Sequence, residues 1–132
     1  MILRQLHAWL ASAFVAAIVV QVFLAGAALA NLGGSGDYST HVGFGYSVVG
    51  IAALLLVLSA IAARRSRREV ATTIGLLLLY IVQTMLPSAR ASVPFVAALH
   101  PLNAMVLFGL AAWYARRAWT SRATGAVAAA AA

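Results

Sequence analysis

Four nearly unbroken apolar runs account for most of this chain, and each is long enough to cross a bilayer. They cover about residues 6–29, 38–63, 70–86 and 93–119. At about 1.5 Å rise per residue, some 20 helical residues cross a hydrocarbon core about 30 Å thick, and the third run only just suffices. Lipid offers no hydrogen-bond partner to a peptide group, so such runs must satisfy their backbones internally, as helices. The expected fold is all-α: an integral membrane four-helix bundle, up-down-up-down, forming one domain over residues 1–122. An Ala-rich flexible tail, 123–132, is expected to follow it.

Composition agrees. The chain is 64% hydrophobic and 8% charged, where a soluble domain carries about 25% charged residues. It has no cysteine, which excludes a disulfide framework, thiolate metal sites and haem attached through thioethers. Asp37 and Glu69 are the only acids, so no carboxylate pair is available for acid–base chemistry. The net charge of +7 comes from nine arginines without a lysine. They cluster at the ends of apolar runs, as topology signals do, so the expected partner is a lipid bilayer and not nucleic acid.

Orientation follows from those arginines. Arg4, Arg64, Arg65, Arg67, Arg68, Arg116, Arg117 and Arg122 fall on one side, and Arg90 alone on the other. The positive-inside rule then puts both termini and the central loop in the cytoplasm of a bacterial plasma membrane. Trp113, Tyr114 and Trp119, with Trp9, read as an inner aromatic belt, and His7 as an interfacial side chain beside it. Gly33-Gly34-Ser35-Gly36 reads as an outer turn, and Asp37 as a cap for the second helix. Arg4, the first apolar run and Ala28-Leu29-Ala30 resemble a secretory signal. The run exceeds the roughly 7–15 residues of a signal core, so it is expected to be retained as a helix.

Polar side chains inside lipid mark cavities, partners or helix contacts. Counting to the nearest inner arginine gives 17 residues for Gln21, 15 for Gln83 and 16 for His100. These three share a layer, and Asn103 lies one turn from His100 on the same face. His41 is 23 residues from Arg64, about 10 Å higher by the same count.

His41 and His100 open the second and fourth runs, which lie on one diagonal of such a bundle. Helices packed at about 8–10 Å leave a diagonal that two imidazoles and a metal between them would fill. The expected site is one haem b with His41 and His100 as metal ligands. Gln21, Gln83, Asn103 and Tyr38 are candidates to support the imidazoles, and Gly43 and Gly45 leave room for a macrocycle. Pro101 either starts the buried part of the last helix or kinks it. A zinc site from two histidines alone lacks ligands, and Ser47, Ser59 and Thr84 have no base-and-acid set around them.

The surroundings of both histidines, Thr40-His41-Val42-Gly43 and Leu99-His100-Pro101-Leu102-Asn103, resemble one four-helix half of haem A synthase. The resemblance covers residues 38–119. It implies a haem b held by two histidines at the outer ends of the second and fourth helices. The catalytic half of that family has a glutamate shortly before its first histidine and an arginine after it. Here the only acid is Asp37 and the next residue is Val42, so the resemblance implies a cofactor holder without hydroxylase chemistry. The chain also resembles small bacterial four-helix membrane proteins of uncharacterised function.

Three functions fit these features. One is a haem b protein for electron exchange, haem sensing or haem handling. Another is a non-catalytic subunit or scaffold of a larger membrane complex, or a homodimer. The third is a small transporter or quinone-binding protein, although no carboxylate lies within the apolar runs to couple protons. No residue commits the chain to an enzymatic reaction.

Overall fold

The computed structural model describes residues 2–32 and 36–130, with side chains to Thr120. Four long helices form it: α1 (Ile2–Leu29), α2 (Ser39–Ala62), α3 (Arg67–Met85) and α4 (Leu99–Ala130). Among the described residues there is no strand. All four helical segments are long and apolar enough to span a membrane. Large apolar side chains such as Val22, Phe23, Leu58, Leu78 and Met105 face outward on every helix. In water such a surface would drive association; in lipid it is the solvated surface.

Contacts run around a square: α1 packs on α2 and α4, and α3 packs on α2 and α4. The α2 and α4 helices therefore occupy one diagonal. Successive helices are antiparallel, because the start of α1 meets the end of α2 and the middle of α4, while the end of α3 meets the start of α4. The core is a narrow seam of small and apolar residues. Ala8, Ala11, Phe14 and Ile18 come from α1, Ala53, Leu56 and Ala60 from α2, Leu76 from α3, and Leu107, Ala111 and Ala118 from α4. The alanines let backbones approach closely, which matters where lipid removes the hydrophobic drive between helices.

Local chemistry sets the helix ends. The α3 helix starts earlier than its apolar run, because Ser66 and Glu69 form a reciprocal capping box that satisfies two amides otherwise left open. Asp37 accepts from the Ser39 amide at 2.7 Å, satisfying the first turn of α2 from one residue before its cap, Tyr38. Gly33, Gly34 and Ser35 of the expected outer turn lie outside the described residues. Beyond α3 the chain forms a 3-10 turn, Leu86–Ala91, and one short turn, Pro94–Ala97, before α4 begins. Pro101 sits in the first turn of α4, where its missing N–H breaks no helical bond, so it starts the helix and does not kink it. The expected tail from 123 falls on residues whose side chains lie outside the description; their backbone continues α4 to Ala130.

Two sequence expectations about the arginine-rich end are corrected. His7 is not an interfacial side chain, and Tyr114 is not part of an aromatic belt: both are buried, at 0% and 1% exposure. His7 Nδ1 lies 2.8 Å from Ser59 Oγ, and Nε2 lies 2.8 Å from Tyr114 Oη. Ser59 donates its own proton to the Leu56 carbonyl, so it accepts from Nδ1–H. The neutral ring then receives the Tyr114 proton at Nε2. Burial of these polar groups is tolerable because each has a partner. Trp9 and Trp113 do remain exposed, and Trp119 donates to Ser12 at 2.9 Å.

Candidate functional site

At the opposite end of the bundle, four polar side chains converge from four helices. His41 on α2 and His100 on α4 bring their ring centroids to 6.3 Å, with planes at 72°. The height difference expected from arginine counting is much reduced, and the physical reason is the choice of reference. Arg64 lies in the loop beyond α2, with a left-handed φ of 50°, whereas Arg116 lies within α4. The buried His7–Ser59–Tyr114 layer is a better common level. From it His41 is 18 residues away and His100 is 14, a difference of about 6 Å.

A π-helical stretch at Gly45–Val49 within α2 shortens the remaining rise. It begins one turn below His41, and the Gly45 carbonyl, besides accepting the Gly50 amide, accepts from Tyr80 Oη on α3 at 3.1 Å. Two glycines make this geometry possible. A Cβ on Gly45 would come within 2.8 Å of Gln21 Nε2, and one on Gly50 within 2.5 Å of Tyr80 Oη.

The two imidazoles are held by the same device. His41 Nδ1 lies 3.0 Å from the backbone carbonyl of Gln21, and His100 Nδ1 lies 3.0 Å from the backbone carbonyl of Gln83. A carbonyl only accepts, so each Nδ1 must carry the proton, and each neutral ring keeps a lone pair on Nε2. The amide nitrogens of the same two glutamines approach these lone pairs, at 3.2 Å for Gln21 and 3.1 Å for Gln83. The α1–α2 hairpin and the α3–α4 hairpin thus each carry one Gln–His pair, without a fixed sequence period between them.

The pairs differ in their outer partners. Asn103 donates to Gln83 Oε1 at 2.8 Å and to the Leu79 carbonyl at 3.1 Å. This orients the Gln83 carboxamide with its nitrogen toward His100. Gln21 donates a second bond to the His41 carbonyl at 2.9 Å, and its Oε1 is buried with no partner among the described residues. A buried acceptor without a partner is uncommon enough to mark a position where something else binds or rearranges.

A cavity of about 570 Å³ surrounds this cluster, within the range of ordinary cofactor sites. All four helices line it. His41, His100, Gln21, Gln83 and Gly45 face it, and apolar residues such as Val49 and Leu107 make up most of its wall. No charged side chain lines it. Asn103 stands behind Gln83. Gly43 faces open space and is not part of the wall. Tyr38 packs edge-on against His41, with centroids 6.0 Å apart. Tyr80 was not anticipated; its position on α3 one turn before Gln83 was the available signal.

Among the described residues no group of three or more His, Asp or Glu side chains could enclose a bare metal ion. His41 and His100 are the side chains that would hold a metal bringing its other ligands with it, each through the Nε2 now beside a glutamine amide.

A family of unknown function, DUF6220, matches residues 21–90, just over half the chain. The matched region starts at Gln21, includes His41 and Gln83, and stops before His100. No curated protein and no solved structure matches the chain, so the likeness to haem A synthase rests on the histidine pattern alone.

Proposed function

The chain belongs to the DUF6220 family, which brings no activity with it, and from the site itself we propose a small membrane protein that holds one haem b between His41 and His100. The observation that carries this reading is the matched pair of Nδ1–H bonds to the Gln21 and Gln83 carbonyls. They fix both rings in the tautomer that offers Nε2, and the two ring centroids lie 6.3 Å apart. Backbone acceptors of this kind orient metal-bound histidines and raise their basicity.

To coordinate, each Nε2 must be released by the glutamine amide beside it. The main-chain bonds at Nδ1 keep the rings in place meanwhile. A bound haem would supply one-electron chemistry near one face of the membrane. This suits electron exchange with a partner, haem sensing or haem handling better than catalysis, since no carboxylate reaches the site. The arginine distribution supports a bacterial plasma-membrane location with both termini and the α2–α3 loop in the cytoplasm, and the histidine pair near the outer face.

A visible spectrum of the detergent-solubilised protein from haem-replete cells tests the proposal. It should show a Soret band and sharp reduced α and β bands, lost in both His41→Ala and His100→Ala. A colourless protein overturns it. One observation favours a second reading. The glutamine amides already satisfy both Nε2 atoms, as in a helix-packing layer of a non-catalytic subunit or scaffold. A colourless protein whose His41→Ala and His100→Ala variants lose thermal stability would support that reading.

A further inference from the structure

We infer that the other end of the bundle carries a second site: a notch between α3 and α4 that seats the phosphate of an anionic phospholipid headgroup. It relies on the membrane reading and is independent of haem. The notch is a cavity of about 80 Å³. Arg68, Glu69 and Thr72 bound it on α3, and Trp113, Tyr114 and Arg117 on α4.

Charge is the first argument. The chain has only two acids. Asp37 lies at the opposite end of α2, and Glu69 is engaged by Arg65 and by both the amide and hydroxyl of Ser66. Glu69 is therefore neutralised within the notch. Among the described residues Arg68 and Arg117 have no acidic partner. The Arg117 guanidinium lies 5.8 Å from the Trp113 ring centroid, a cation–π contact that holds it at the rim. Two exposed guanidiniums facing one small cavity make a fork suited to phosphate oxygens.

The second argument distinguishes a lipid from a soluble anion. Val106, Leu110 and Trp113 precede Arg117 on α4, about one turn apart, and all three stay exposed. On α3, Gly75 lies one turn above Thr72, and a Cβ there would meet nothing within 4 Å. An open apolar track thus leaves the cationic notch along the helix pair. A free phosphate would use only the notch, whereas a phospholipid fills both. Basic pockets between membrane helices recognise anionic headgroups in this way.

The test uses the full chain, purified in neutral detergent and titrated with phosphatidylglycerol, phosphatidylcholine or inorganic phosphate. Native mass spectrometry reads bound lipid, and thermal melting reads the stabilisation. Phosphatidylglycerol should give a retained adduct and a saturable rise in Tm. Arg68→Gln/Arg117→Gln should bind it at least about tenfold more weakly, the scale of two lost cationic contacts. Arg117→Gln alone should fall between, which keeps the test decisive if the double variant does not fold. Arg90→Gln, at the other end, should match the parent.

Equal binding of phosphatidylcholine, or unchanged binding by the arginine variants, overturns the site. Saturation by inorganic phosphate at the same concentration overturns the lipid assignment. Failure of the membrane reading is separately visible, as release of the protein from membranes by alkaline carbonate.

Discussion

His7 accepts a hydrogen bond from Tyr114 across 107 residues of sequence, tying the first turns of α1 to the last helix. Both side chains are fully enclosed, with Ser59 of α2 as the third member. Tyr114→Phe leaves the His7 lone pair buried and unpaired, which should cost about 1–3 kcal/mol. A lowered Tm with an unaltered visible spectrum is expected, because the histidine pair lies at the other end. An altered Soret band would mean that the two ends are coupled.

The main-chain origin of the imidazole supports leads to a second expectation. Gln21→Ala and Gln83→Ala remove the amides beside Nε2 but leave the carbonyls that hold Nδ1–H. Each variant should therefore retain a two-histidine haem spectrum. Loss of colour in either would show that the carboxamide itself is required and that coordination through Nε2 is wrong.

Acid should release a haem held in the proposed way. With Nδ1–H committed to a carbonyl, the second proton of each imidazole can enter only at Nε2, the atom that would bind iron. Apparent haem affinity should fall as pH is lowered and recover on neutralisation. The same titration on a protein carrying covalently fixed haem would show no loss, so free haem in the filtrate is the quantity to measure.

Gly50 and Tyr80 should behave as a coupled pair. Gly50→Ala places a Cβ 2.5 Å from the tyrosine oxygen and should destabilise by about 1–3 kcal/mol. Tyr80→Phe alone loses the bond to the Gly45 carbonyl, at about 0.5–1.5 kcal/mol. The double variant should cost less than the sum, because the removed oxygen is the one the Cβ would strike. Strict additivity in a double-mutant cycle would contradict the packing described.

Orientation can be measured directly, since the chain has no cysteine of its own. Ser92→Cys, after the 3-10 turn between α3 and α4, should react with a membrane-impermeant maleimide in intact cells. Thr120→Cys on α4 should react only after the membrane is opened. The reverse pattern would invert the arginine-based topology.

The sequence conveyed the helices better than their interior. Run length located all four, and the α2–α4 diagonal followed from their number. Gln21, Gln83 and His100 were legible as one layer, but not which glutamine meets which histidine, because depth carries no rotational information. Arginine counting overstates the height of His41, because Arg64 and Arg116 do not share a level: one lies in the loop beyond a helix and the other inside one. His7 and Tyr114 were assigned to the interface from nearby arginines and tryptophans. Their helical spacing instead matches the buried faces: His7, Ala11, Phe14 and Ile18 form one stripe, and Leu107, Ala111, Tyr114 and Ala118 another. The π stretch had no sequence signature beyond its glycines, since an inserted residue is settled by packing against Tyr80 and Gln21.

The Gln–His pair repeated in each hairpin has a thermodynamic consequence. Neither hairpin holds both imidazoles, so any occupant gripped by His41 and His100 is a removable crosslink between the two halves of the chain. Its affinity then adds to the cohesion of the halves by RT ln(1 + [L]/Kd), about 2.7 kcal/mol at a hundredfold excess over Kd. In lipid, where helices gain little from excluding solvent, that increment is a substantial share of what keeps two hairpins together. Occupancy would be felt as added cohesion at one end of the bundle, while the His7–Tyr114 and Ser12–Trp119 contacts already join the two hairpins at the other.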